Sequence, residues 1–218
     1  TSIVNIYSRT PAALAQHFAT LDEFSGGRAI IGLGTSGPQV IEHFHGVKFA
    51  PALTRMREYV EIINLLIAGA PLNYSGKLFR LERGFTLRFD PVRNHIPIFI
   101  ASLNRKSVEY TAQAADGWMP VMIPLASLGK AIAEFRAAVH EHGRDPQAVA
   151  IKAPGITHVT ADVERVKAVH AGTLAFYAAR MGTYYAEQLT RFGFGGEVNT
   201  IKEAWIKGGA MAATAAVA

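Results

Sequence analysis

Residues 25–38 read SGGRAIIGLGTSGP. Ala29-Ile30-Ile31 is a short apolar run, with Gly26-Gly27 behind it and Gly32, Gly34 and Gly37 ahead. A run of that length, so heavily punctuated, predicts a buried parallel strand emptying into a glycine-rich loop. Glycines in such a loop let backbone N–H groups approach a ligand, and Thr35 and Ser36 add hydroxyls. The C-terminal end of a parallel strand is where α/β proteins place their chemistry. The pattern alone leaves two readings open, a ligand cradle and a plain tight turn. GLG lacks the GxGxxG spacing, and Gly37-Pro38 reads as a turn rather than the start of a dinucleotide-binding helix.

Upstream, TSIVNIY (1–7) alternates like a strand, and Thr10-Pro11 is a helix start with Thr as N-cap and Pro in the first turn. Leu14, Phe18 and Leu21 then form an apolar stripe ended by Gly26-Gly27. Downstream, residues 39–51 read as a long connection holding His43, His45 and Gly46. Leu53, Met56, Val60, Ile63 and Ile67 step 3-4-3-4 and predict a helix from Ala52 to Gly69. Residues 72–89 predict a small hairpin around Ser75-Gly76. From Ile96 strand and helix alternate: strand 96–101, helix from Asn104 to Ala115, strand 117–121, and a helix marked by Leu128, Ile132, Phe135 and Val139. Strand 149–159 follows, and then helices begin at Asp162, broken at Gly182, Gly193 to Gly196 and Gly208-Gly209. Alternation of this kind means βαβ units and a parallel sheet. Five strands can be counted, where a closed (β/α)8 barrel needs eight.

The chain has 22 basic and 17 acidic residues in 218, a net charge of +5, and half its residues are apolar. The basic residues are scattered singly, which argues against nucleic acid and leaves an attraction toward anionic small molecules. With no cysteine, disulfides, thiolate chemistry and Cys-ligated zinc are excluded. No apolar run approaches the ~20 residues of a membrane span, and the first residues lack the layout of a secretion signal. The expectation is a cytoplasmic protein without a membrane partner. His43-Phe44-His45 beside Glu42 would need a further ligand to hold a metal; a lid or pocket histidine, or a solvated loop, is the plainer reading, and no metal is predicted. Arg28 reads as a structural salt bridge at the stability end of its strand, and Arg57-Glu58 as a solvated or structural pair. Trp118 could reach the strand ends or pack in the core. Tyr177, Tyr184 and Tyr185 could line a subunit contact, although an aromatic helix face is more often core.

Four pieces carry a family resemblance: SRTPAALAQHFATLDEFSGGRAIIGLGTSGPQV (8–40), TRMREYVEIINLL (54–66), IPIFIASLNRKSVEYTAQAADGW (96–118) and FYAARMGTYYAEQLTRFGF (176–194). Together they resemble the luciferase-like monooxygenase family, in its branch of deazaflavin-dependent oxidoreductases and methylenetetrahydromethanopterin reductase. The resemblance implies an α/β fold, a (β/α)8 TIM barrel of the bacterial luciferase-like type. Only about five of its eight strands fall within residues 1–218, a single domain lacking the first two strands and the last. It places Thr1 at the mouth of the third barrel strand. Ser2 and Ile3 match a bulge, often with a non-prolyl cis peptide, that presses on the middle ring of a flavin or deazaflavin. Asn5 matches a polar residue at the ring's pyrimidine edge, and Gly34, Thr35 and Ser36 the loop beside the ring. Ala101, Ser102, Leu103 and Asn104 match the turn on the ribityl-phosphate side, where a helix N-terminus is independently an anion site.

The function implied is an oxidoreductase moving a hydride between coenzyme F-420 and a carbon or imine of a small-molecule substrate. The alternatives are an FMN-dependent monooxygenase and a flavin-binding protein without turnover; an unrelated α/β protein binding an anionic metabolite is a third. The resemblance also implies a homodimer through barrel helices. Its acid–base residues belong to strands that would precede Thr1, so no catalytic residue is assigned.

Overall fold

The computed structural model describes residues 2–88, 91–152, 155 and 157–217; Thr1 lies outside them. Along the chain the elements are β1 (Val4–Asn5), α1 (Pro11–Ser25), β2 (Ile31–Gly34), α2 (Pro38–His43), α3 (Ala52–Ile67), β3 (Leu72–Ser75) and β4 (Arg80–Phe85). There follow β5 (Ile98–Ile100), α4 (Arg105–Ala114), β6 (Gly117–Trp118), α5 (Leu125–Glu141), β7 (Ala150–Ile151), α6 (Val163–Ala179), α7 (Tyr184–Arg191) and α8 (Gly195–Ala215). The chain groups into two compact units, residues 1–119 with 135–152, and residues 120–134 with 153–218.

In the first unit β1, β2, β5, β6 and β7 form one parallel sheet in that order. Ile31, Leu33, Ile98 and Ile100, which share one face of the sheet, are almost fully buried, and all four residues of β2 are buried, as expected of a central strand covered on both faces. The strands are shorter than the apolar runs that announce them. Regular pairing spans Ile98–Ile100 rather than 96–101, and Gly117–Trp118 rather than 117–121. Pro97 and Pro120 flank these strands and have no N–H to give a ladder. The predicted strand 149–159 is reduced to Ala150–Ile151, and Val159 is fully exposed; residues 153, 154 and 156 of that prediction lie outside the described residues.

Local signals hold where they concern caps. Thr10 accepts the N–H of Ala13, and α1 ends at Gly26 in the left-handed region with φ 62°. Asn104 accepts the N–H of Ser107 at 3.0 Å at the start of α4. Two local readings change. The buried stripe of α1 takes in Asp22 instead of Leu21, which is 49% exposed. Gly37-Pro38 opens a short helix within the supposed long connection: Pro38 takes the first-turn position, where its missing N–H is tolerated, and Ile41 donates back to the Gly37 carbonyl.

Charged residues also settle differently. Arg28 donates to the Ser25 carbonyl, and the ion pair at this end of the sheet is Arg93 with Asp22. Arg57 and Glu58 do not pair with each other. The Arg57 guanidinium lies 4.5 Å from the Tyr110 ring centroid. Glu58, 4% exposed, turns to the antiparallel β3–β4 hairpin and accepts the N–H groups of Lys77, Leu78 and Phe79 at 2.7–3.1 Å. The approach is close enough that a Cβ on Gly76 would stand 2.5 Å from the carboxyl carbon. Glu58→Ala removes the buried acceptor of three partly buried N–H groups, so stability should fall by about 2 kcal/mol, a Tm loss of roughly 6 °C for a chain of this size. A scanning-calorimetry Tm equal to wild type would show that the hairpin is not held this way.

The second unit is helical. Ala175 and Ala178 of α6 pack with Ile201 and Ala213 of α8, and Trp205 and Leu189 lie against them. Small residues at these positions let α6 and α8 approach closely. Tyr177 and Tyr185 meet edge to face at 4.7 Å, a packing role within the unit. The helix α8 is kinked at Gly208 and Gly209, whose backbone angles are not helical.

Candidate functional site

Strand register builds the site. Asn5 pairs with Gly34, and one step past the β2–β5, β5–β6 and β6–β7 pairs lie Ala101, Met119 and Lys152. The ladder continues through these positions: Ala101 N–H donates to Leu33, Met119 N–H to Ile100 and Lys152 N–H to Trp118, at 2.9–3.0 Å. Asn5, Gly34, Ala101, Met119 and Lys152 thus form one rung at the C-terminal edge of the sheet. Residues in register on parallel strands share a face. The alternate residue Trp118 stacks on Phe135 of α5 at 4.6 Å, so Met119 and its rung mates face the side away from that helix.

The rung is curved. Four strand steps of ~4.8 Å would set β1 about 19 Å from β7 in a flat sheet. Yet Ser2, two residues before β1, donates to Met119 Sδ at 3.5 Å and accepts from Lys152 Nζ at 3.4 Å. The sheet therefore curls until its outer strands face across a shared mouth, in an open arc of five strands.

Ser2–Ile3 is a cis peptide. Beside it, a Cβ on Gly34 would lie 2.2 Å from Ile3 Cδ1 and 3.7 Å from the Ala101 methyl. Ile3 reaches the rung only because position 34 has no side chain. Asn5 is oriented by the backbone: its Oδ1 accepts from Tyr7 and Ser8 N–H at 3.0 and 2.9 Å. Its Nδ2 is left to donate to His45 Nε2 at 3.3 Å, which assigns the ring proton of a neutral His45 to Nδ1. Ser36 sits at φ 57°, with Thr35 Oγ1 donating to its carbonyl.

Ser102 is 3% exposed and its hydroxyl turns inward, 2.9 Å from Thr111 Oγ1. Thr111 in turn donates to the Ser107 carbonyl, so Ser102 is the donor to Thr111. The Trp118 indole donates to the Ser102 carbonyl at 3.2 Å; Trp118 is a core residue that fixes this turn. What the turn presents to solvent is the first turn of α4, with exposed Arg105 and Lys106. Cations at a helix N-terminus oppose the macrodipole, an arrangement that an anion between them relieves.

Of the predicted residues, Ile3, Asn5, Gly34 and Ala101 come together at the C-terminal edge of the sheet with Ser2 beside them, and Thr35 and Ser36 continue from Gly34, whereas the Ser102 side chain turns away to Thr111. His45, Met119 and Lys152 join them without having been singled out as binding residues. His45 carried only the hint of a lid. Met119 and Lys152 follow two-residue strands, and a register count would have been needed to find them. Among the described residues, no group of three or more His, Cys, Asp or Glu is placed to hold a metal ion. No helix among them is long and apolar enough to cross a membrane.

The profile of the luciferase-like monooxygenase family matches residues 1–218. A Mycobacterium tuberculosis protein, named provisionally as a coenzyme F-420-dependent oxidoreductase, is 39% identical over 132 residues, 56% of this chain and 38% of that protein. A 5,10-methylenetetrahydromethanopterin reductase of Archaeoglobus fulgidus is 36% identical over 115 residues, 53% of this chain and 33% of the reductase. The solved coenzyme F-420-dependent tetrahydromethanopterin reductase from Methanopyrus kandleri aligns with a TM-score of 0.82 at 24% identity, covering all of this chain and 66% of that one. That last likeness is one of fold. The matched stretch spans less than two-fifths of either curated relative.

Proposed function

The chain belongs to the luciferase-like monooxygenase family, and on that premise we propose that it is the cofactor-holding part of a coenzyme F-420-dependent oxidoreductase. The observation that carries this reading is the cradle a Cβ would fill: Gly34 stands bare against Ile3, beside the cis Ser2–Ile3 peptide and the Ala101 methyl. A flat ring fits a floor of that shape, and a phosphate arm fits the basic first turn of α4. When bound, the deazaflavin supplies a hydride donor or acceptor carbon. The chain's own part is to hold and orient. Ile3, Gly34 and Ala101 support the ring face and exclude water beneath it. Asn5, fixed by Tyr7 and Ser8, presents an amide donor at the edge, and His45 is positioned to exchange that hydrogen bond. Thr35 and Ser36 line the side, and the Ala101–Asn104 turn with the basic first turn of α4 receives the phosphate arm.

The same reading carries a cytoplasmic, single-barrel protein acting on a small molecule. It also carries a homodimer, for which exposed Val169 and Phe176 on α6 and Ile206 and Met211 on α8 offer apolar surface. Fluorescence titration with coenzyme F-420 and, separately, FMN tests the proposal. Saturable binding of the deazaflavin with FMN at least tenfold weaker is the expected result. Preference for FMN would move the assignment to an oxygen-activating monooxygenase, and tight binding with no hydride transfer to any carbonyl or imine would leave a binding protein.

A further inference from the structure

We propose that Lys152 is the anion-recognising residue of this mouth, and that with Ser2 it selects substrates bearing an oxyanion, carboxylate or phosphate. The inference deepens the proposed function and rests on its placing of the ligand at the rung of Asn5, Gly34, Ala101, Met119 and Lys152.

Three observations converge. Lys152 is the only charged member of that rung, and its neighbours are apolar or small. Its backbone is pinned, because its N–H donates to Trp118 at 2.9 Å and Trp118 is itself buried and stacked on Phe135. Its ammonium is aimed across the mouth at Ser2, 150 residues away in sequence, at 3.4 Å. There it meets a neutral hydroxyl, and among the described residues no carboxylate forms an ion pair with it. A lysine on a pinned strand end, turned over a floor of small residues, offers a compact point charge at a fixed place. Ser2 adds a hydroxyl that can turn from the Met119 sulfur to an incoming oxygen, a better acceptor. A substrate combining an apolar reacting carbon with a carboxylate or phosphate fits both halves of this surface.

The test is calorimetric titration of inorganic phosphate and of acetate, at fixed ionic strength, into the chain with and without bound coenzyme. Wild type, Lys152→Met and Lys152→Arg are compared. Saturable binding of one anion to wild type is expected, with its preference telling phosphate from carboxylate. Lys152→Met should weaken that binding at least tenfold, and Lys152→Arg should keep most of it. Lys152 is exposed, so neither variant threatens the fold. If Lys152→Met binds the anion as wild type does, or wild type binds neither anion, the inference falls. A tenfold loss of coenzyme affinity in Lys152→Met also overturns it, since Lys152 would then serve the coenzyme's own anionic arm. If coenzyme fails to bind while Lys152-dependent anion binding persists, the inference stands and the deazaflavin reading fails.

Discussion

Replacing Arg93 with methionine should lower stability by about 3 kcal/mol at pH 7 and by much less at pH 3. Asp22 is 2% exposed, and Arg93 reaches it with two bonds, Nε to Oδ2 at 2.9 Å and Nη2 to Oδ1 at 2.7 Å. The same Nη2 donates to the Ala29 carbonyl, and Ala29 N–H donates to Asp22 Oδ1 at 3.0 Å. The pair thus ties the end of α1 to the approach of β2. Breaking a buried pair by removing one partner strands the other charge, which costs about 3–5 kcal/mol. The lower end applies because the Arg93 side chain is 30% exposed.

The pH dependence follows from the direction of the Asp22 shift. The hydrogen bond from Arg93 is the largest influence and holds the carboxyl below its ordinary value of 3.8, against the opposing effect of burial. Stability from a carboxylate depressed in the folded state is fully present above the unfolded value and is lost as pH falls through the folded one. In the Arg93→Met chain, burial outweighs the remaining Ala29 N–H, so the carboxyl should titrate above 3.8 and the variant should be relieved as Asp22 takes up its proton. The two denaturation free energies should therefore converge between pH 7 and pH 3. A gap that stays constant across that range would assign the loss to packing of the Arg93 stem.

Gly34→Val should reduce coenzyme affinity by on the order of 100-fold, or ~2.7 kcal/mol, while the chain remains folded. The added Cβ would collide with the tip of Ile3, which is 38% exposed and can swing aside. The price in stability should stay within the ~1–3 kcal/mol of ordinary overpacking. Where Ile3 swings matters more, because Ile3 is itself part of the surface assigned to the ring. Ile3→Ala combined with Gly34→Ala should recover most of the affinity, since the collision then has no second partner. Wild-type affinity in Gly34→Val, measured by fluorescence titration, would place the ring elsewhere.

How much of this was legible beforehand depends on the distance over which each signal acts. Thr10 and Asn104 cap their helices because the capping oxygen and its N–H lie three residues apart, within reach of a local reading. The glycine-punctuated run 25–38 announced a buried strand and its loop for the same reason. Family membership was also readable, since four separated pieces kept their order. The helix at Pro38 was missed because Gly-Pro supports a turn and a first helical turn equally well. Asp22 was missed because a periodicity of apolar residues has no place for a buried charge until Arg93, 71 positions on, supplies its partner.

The sequence by itself determined the caps of α1 and α4, most of the long helices, and that a glycine loop ends the central strand, since those outcomes rest on contacts within a few residues. Only the tertiary structure decided who meets at the mouth, Lys152 across from Ser2 and His45 against Asn5, and that Ser102 turns away from it to Thr111. Those meetings depend on strand register and on the curl of the sheet. Both are set by packing over the whole first unit, and neither leaves a mark on any short stretch of chain.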